Sequence, residues 1–121
     1  ALIYRMIFNL TENAIKYNRP DGSVQVCITQ EPEKLLILVS DTGRGIPEEY
    51  QQSIFQPFFR VDKSRSRTFG GAGLGLALVW EIAALHGGSV RVAESSDSGT
   101  TIAAEAPRSG NHAAAPKNET L

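Results

Sequence analysis

Apolar residues recur at Ile3, Met6, Ile7, Leu10 and Ala14, the three- and four-residue spacing that lays one stripe along an α-helix. This helical segment, Ala1 to Asn18, opens without a capping residue, as a chain cut just inside a helix would. Arg19-Pro20-Asp21-Gly22 stops it in a turn. The period then changes to two. Val24, Val26 and Ile28 alternate with Gln25, Cys27 and Thr29, which predicts a half-buried strand with Cys27 packed as a small strand residue. After a polar turn from Glu31 to Lys34, Leu35 to Val39 are apolar without interruption, the pattern of a central strand closing a hairpin. Pro47 suits a helix's first turn, with Glu48 and Glu49 near its positive end, and predicts a short helix ending near Phe55. From Gln56 to Gly73 no period holds, and a connection of that length inside a compact domain is usually functional, such as a lid. Leu74, Leu78, Ile82 and Leu85 set a helix from Leu74 to His86, stopped by Gly87-Gly88. Strands from Val90 to Glu94 and from Thr100 to Ala106 follow around a Ser/Asp/Gly turn. Residues 108–121 read as a disordered tail or linker.

Composition narrows the class. The 121 residues fit one domain with a modest core, and 41% hydrophobic against 21% charged excludes a wholly disordered chain. Twelve Lys and Arg against thirteen Asp and Glu leave a net charge of -1, which argues against a nucleic-acid or polybasic membrane binder. One Cys excludes a disulfide framework and a cysteine-based zinc site. No apolar run approaches the ~20 residues of a spanning helix, and no signal-peptide pattern opens the chain. The expectation is a soluble domain without direct membrane contact.

Four segments carry candidate chemistry. Asn9 and Asn13 stand one helical turn apart on one face, with Lys16 and Tyr17 continuing that side. A solvated polar face explains them; so do carboxamide oxygens offered to a hard cation and an ammonium offered to phosphate. Asp41 ends an apolar strand and precedes Gly43 and Gly45; it is either an ordinary Asx turn or an acceptor for an exocyclic amine, with glycines admitting a flat ligand. Phe69 to Leu76 is glycine-rich and opens a helix, a ready anion site that fits neither the GxGxxG nor the GxxxxGK[ST] spacing. Arg60, Lys63, Arg65 and Arg67 place a local charge of +3 on the long connection, with Phe55, Phe58 and Phe59 to anchor it; this suits phosphate or a solvated surface. His86 at a helix end and His112 in the tail offer no catalytic arrangement.

Together these segments resemble the catalytic, ATP-binding domain of sensor histidine protein kinases, a branch of the ATPase superfamily shared with gyrase, a heat-shock chaperone and mismatch-repair proteins. Residues 9–17 resemble the N box, 41–47 the first glycine box, 55–60 the F box, 71–76 the second glycine box, and 99–101 the final strand motif. The resemblance implies an α+β fold: a two-layer sandwich whose mixed, mostly antiparallel sheet carries helices on one face, with residues 56–73 as an ATP lid. The strands that precede the N box in the family are missing here. It implies a catalytic domain over residues 1–107. It further implies Asn13 on Mg²⁺ with Asn9 beside it, Lys16 on phosphate and Tyr17 flanking the nucleotide. Asp41 would meet the adenine amine, with Gly43, Gly45, Ile46 and Thr100 completing that pocket. Gly71, Gly73, Leu74, Gly75 and Leu76 would pass under the phosphates. Arg60, after its aromatic anchor, would reach the γ-phosphate, so that it and Asn9 serve the transfer step. The implied cofactors are ATP and Mg²⁺. The implied partners are a dimerisation domain bearing the phosphoacceptor histidine and a response regulator, in the cytoplasm, with a membrane anchor in the parent protein left open. Hydrolases of the gyrase and chaperone branch carry a Glu where Asn9 stands. Anti-sigma serine kinases are less like the stretch 58–62. A non-catalytic binding module on the same fold is disfavoured by intact Asn13, Asp41 and Arg60.

Overall fold

The stripe along the first helix decides how the helical layer meets the sheet. In α1 (Leu2–Lys16), Ile3, Met6, Leu10 and Ala14 are buried and Ile7 packs half-buried beside them. Full burial of Met6 and Leu10 contributes about 1.5–3 kcal/mol each. The structure is a computed structural model and describes residues 2–57, 59 and 75–108.

Strands β1 (Val24–Gln30) and β2 (Lys34–Asp41) form an antiparallel hairpin, as do β3 (Ser89–Ser96) and β4 (Gly99–Pro107). The hairpins lie side by side in the order β1-β2-β4-β3, with β2 and β4 paired antiparallel at the centre. Leu35, Ile37 and Val39 of β2 share a face with Ile102 and Ala104 of β4 and Val90 of β3. That face is buried under α1 and the second helix, α2 (Gly75–Leu85). This is the expected two-layer α+β arrangement with helices on one face; among the described residues every strand pairing is antiparallel. Arg108 is tied back to the β1–β2 turn through its backbone and guanidinium, to the Glu33 and Glu31 carbonyls, at 2.7 and 2.8 Å. The tail expected beyond it, 109–121, lies outside the described residues.

Three local expectations fail for physical reasons. The helix expected from Pro47 to Phe55 is two 3-10 turns, Glu48–Tyr50 and Ser53–Phe55. Tyr50, Gln51 and Gln56 bond backwards by three residues, and the Gln51 amide is spent on the Ile46 carbonyl rather than on solvent. In β1 only Val24 is half-buried; Val26 and Ile28 are 39% and 47% exposed, and Cys27 is exposed rather than packed. β1 is an edge strand, and the helical layer reaches little of it. In α2 the buried positions are Ala77, Val79, Ile82 and Ala83, whereas Leu78 and Leu85 face solvent. Nearly every side of that helix is apolar, so a leucine repeat does not identify its inner face. Small Ala77 and Ala83 let it sit close to its neighbours.

Candidate functional site

β2 delivers Asp41 to the end of the sheet, directly across the central pairing from Thr100 of β4. Its Oδ1 accepts two backbone hydrogen bonds, from Gly43 N–H at 2.9 Å and Thr100 N–H at 3.2 Å. Oδ2 is left with no partner among the described residues and is the atom free to receive a ligand donor. Thr100 is 5% exposed, and its hydroxyl meets Ser95 Oγ at 2.9 Å. Ser95 Oγ also accepts from Ile46 N–H at 2.8 Å, while Gln51 Nε2 donates to the Ile46 carbonyl at 3.0 Å. The peptides on both sides of Ile46 are therefore held. A register shift between Val92 and Glu94 sets Ser95 opposite Thr100, a re-aiming that β-bulges commonly provide.

Two glycines make this geometry possible. Gly45 has φ 87°, and a Cβ there would run into the Ser96 carbonyl. Gly99 has φ 139°, and its Cβ would collide with the Asp41 carbonyl. Only a hydrogen side chain lets the β3–β4 turn close against the end of β2.

The polar side of α1 runs toward the same loop. Asn9, Asn13 and Lys16 are half-buried, and their side chains have no hydrogen-bond or ion-pair partner among the described residues. Tyr17, just past the helix, is 52% exposed. The helix end abuts the glycine loop so closely that a Cβ on Gly43 would stand 2.7 Å from the Tyr17 carbonyl. Asn18 Oδ1 accepts from Thr42 Oγ1 at 3.1 Å, and Thr42 Oγ1 accepts from Ser23 N–H at 2.9 Å. The structure thus brings Asp41, Gly43, Gly45, Ile46 and Thr100 together and joins them to the C-terminal end of the Asn9–Tyr17 face. Gly75 opens α2 with open space around it, and Leu76 packs half-buried against the core. Arg60, Gly71, Gly73 and Leu74 lie outside the described residues, as does Phe58.

The entry to the long connection is anchored by aromatic pairs. Phe55 is buried with its ring 5.5 Å from that of Trp80 in α2, and Phe59 lies 5.7 Å from Tyr50. His86 is at the end of α2, its Nδ1 donating to the Ile82 carbonyl at 2.8 Å. Away from the site, the Arg91 hydrogen bond, and then the Lys34 charge, hold the Glu105 carboxyl below the ordinary glutamate range against the opposing effect of burial.

Ser95, Asn18 and Arg19 are the site-building residues that sequence reasoning missed. Each is an unremarkable polar residue in a turn or strand, and only the register shift and the loop contacts reveal its use. No group of three or more His, Cys, Asp or Glu able to hold a metal occurs among the described residues. A hard cation here would rely on a carboxamide oxygen, on water and on oxygens brought by the ligand itself, all of them the oxygen donors that Mg²⁺ takes. The half-buried, unpartnered Asn13 amide fits that demand. Chemically the arrangement offers an immobilised carboxylate at one end and adaptable amide and ammonium groups at the other.

A family model, that of the histidine kinase-, DNA gyrase B- and HSP90-like ATPases, matches residues 1–110. The circadian input-output histidine kinase CikA of Synechococcus elongatus is 40% identical over 98 residues, which is 81% of this chain but 13% of that relative. Among solved structures, the mycobacterial sensor histidine kinase MprB matches with a TM-score of 0.73 and 35% identity, over 85% of this chain and 70% of that one. Full-length ShkA in complex with AMPPNP matches with a TM-score of 0.75 and 30% identity, over 88% of this chain and 21% of that one.

Proposed function

We propose, from the premise that this chain belongs to the histidine kinase-, DNA gyrase B- and HSP90-like ATPase family, that it is the ATP-binding catalytic domain of a two-component sensor histidine kinase. The observation that carries the reading is Asp41, with Oδ1 pinned by two amides and Oδ2 open. Adenine presents an amine donor to such an oxygen, where guanine presents a carbonyl acceptor. Gly43, Gly45, Ile46 and Thr100 form the walls around the base. Asn13 holds Mg²⁺, with Asn9 beside it, and Lys16 meets phosphate while Tyr17 flanks the nucleotide. Gly71, Gly73, Leu74, Gly75 and Leu76 offer backbone to the phosphates, and Arg60 reaches the γ-phosphate. Mg²⁺, when bound, neutralises charge on the phosphate oxygens.

The Asn9 carboxamide has no basic form near neutrality, so at this position α1 offers water no general base. A positioned phosphate with no activated water favours transfer over hydrolysis. The acceptor is a histidine nitrogen on a separate dimerisation domain: it bonds to the γ-phosphorus as ADP leaves. A response regulator is the next recipient, and the cytoplasm, where ATP is abundant, is the location. No helix among the described residues is long and apolar enough to cross a membrane.

The test mixes the chain with labelled Mg-ATP and a phosphoacceptor dimerisation domain. Acid-labile phosphohistidine is expected on that domain and none on His86 or His112. ATP turnover to free phosphate without histidine labelling would overturn the kinase reading. Stable label on either histidine of this chain would overturn the separate-domain acceptor.

A further inference from the structure

We propose that Arg19 is a positioning residue for base recognition, because its guanidinium joins the two backbone segments whose amides fix Asp41. The inference rests on the assignment of Asp41 to adenine.

Arg19 follows α1 in the turn before β1. Its Nε donates to the Thr42 carbonyl at 3.0 Å, and its Nη2 donates to the Asp97 carbonyl at 2.6 Å. Thr42 C=O and Gly43 N–H belong to one planar peptide unit, so fixing the oxygen fixes the direction of the hydrogen. That hydrogen is one of the two on Asp41 Oδ1. Asp97 lies in the β3–β4 turn, three residues before Thr100, whose N–H is the other. Between them stands Gly99 at φ 139°, a position where the backbone has little steric restraint of its own. One guanidinium therefore spans both arms of the carboxylate's clamp.

A second tie runs alongside. Arg19 N–H donates to Asn18 Oδ1 at 2.8 Å, and the same oxygen accepts from the Thr42 hydroxyl. The turn after α1, the glycine loop and the β3–β4 turn are thus one hydrogen-bonded unit. Both guanidinium acceptors are carbonyls at fixed angles, which suits a planar fork and not the single point of a lysine ammonium. These bonds are solvent-exposed and add little to global stability. Their effect is on where Oδ2 points, and so on the choice between bases.

The test compares the parent chain, Arg19→Ala, Arg19→Lys and Asp41→Asn by amide hydrogen exchange without nucleotide and by ATP and GTP titration. Arg19→Ala is expected to speed exchange at Gly43 and Thr100 about tenfold, as for one lost hydrogen bond, with Ile37 and Val39 unchanged. The ATP-over-GTP preference should fall by about the same factor, through weaker ATP binding, and Arg19→Lys should recover part of it. Acceleration spread equally over Ile37 and Val39 would reduce Arg19 to a general structural role and overturn the proposal. So would an unchanged preference in Arg19→Ala where Asp41→Asn abolishes it. A parent chain that binds ATP and GTP alike would instead overturn the base assignment, and the role of Arg19 with it.

Discussion

Asp41 and Asn13, the two residues proposed to meet opposite ends of the nucleotide, are supported differently. Asp41 sits at the end of a central strand with one oxygen doubly bonded, beside a buried threonine and a loop that glycine alone can form. Asn13 stands on a helix face with Asn9 and Lys16, half-buried and unpartnered among the described residues. The proposed base end is preorganised by the fold, with the Asp41 carboxylate bonded by backbone amides of the glycine loop and β4. The proposed phosphate end is a set of unpartnered amide and ammonium side chains on one helix that can adapt to a charged, hydrated ligand. Selectivity for a flat base needs rigidity, whereas an Mg-phosphate group that changes charge during transfer is served by groups able to follow it. Changes at the base end should therefore disturb binding and folding together. Changes at the phosphate end should alter chemistry while sparing the fold.

The greatest change is expected at the phosphate end. Arg60→Ala should slow transfer to a supplied dimerisation domain by about 10²-fold or more, because charge stabilisation grows in the transition state. Nucleotide affinity should fall only several-fold. Single-turnover transfer within about threefold of the parent would mean that Arg60 merely pairs on the surface, at roughly 0–1 kcal/mol.

A paired substitution compares the two ends through stability. Gly45→Ala forces a side chain into left-handed backbone against the Ser96 carbonyl, and should cost about 1–3 kcal/mol in denaturant unfolding. Asn13→Ala removes a poor helix former from α1 and should leave stability unchanged or raise it by up to ~0.7 kcal/mol, while the Mg²⁺ dependence of ATP binding disappears. Equal destabilisation by both would break the contrast.

A minor effect belongs to neither end. The folded-state pKa of Glu105 is lowered, first by the Arg91 hydrogen bond, so its contribution is present above the ordinary glutamate range and is lost as pH falls through the depressed value. Glu105→Gln should flatten the acid limb of the stability curve by no more than ~1 kcal/mol and leave nucleotide affinity unchanged. A change in affinity would mean that this distant cluster is coupled to the site.

Legibility in the sequence followed the strength of the pattern. The α1 stripe, one-sided in its apolar residues, predicts its own buried face at Ile3, Met6, Leu10 and Ala14. α2 is apolar on nearly every side, and the large leucines misled where small Ala77 and Ala83 pack inward. Val26 and Ile28 alternate correctly, but periodicity cannot say that their strand lies at an edge the helices scarcely reach. In the site, Asp41, Gly43 and Gly45 were legible because glycine spacing and a strand-ending carboxylate are local features, whereas Ile46 and Thr100 entered only through the family resemblance. Ser95 and Arg19 were not, since their partners lie 49 and 78 positions away in Ile46 and Asp97. A long-range backbone partner, donor or acceptor, leaves no mark on the side chain that meets it.

Adenine recognition by Asp41 underlies every other role proposed at the base end. Calorimetric titration with ATP and GTP, in Mg²⁺, on the parent chain and on Asp41→Asn decides it. The substitution converts the carboxylate into a carboxamide that can face the adenine amine with a donor. A clear preference for ATP is expected in the parent, with a loss of about 1–3 kcal/mol of ATP binding in the variant and GTP nearly unaffected. Equal affinity of the parent for the two nucleotides, or undiminished ATP binding by Asp41→Asn, would refute adenine recognition by this carboxylate.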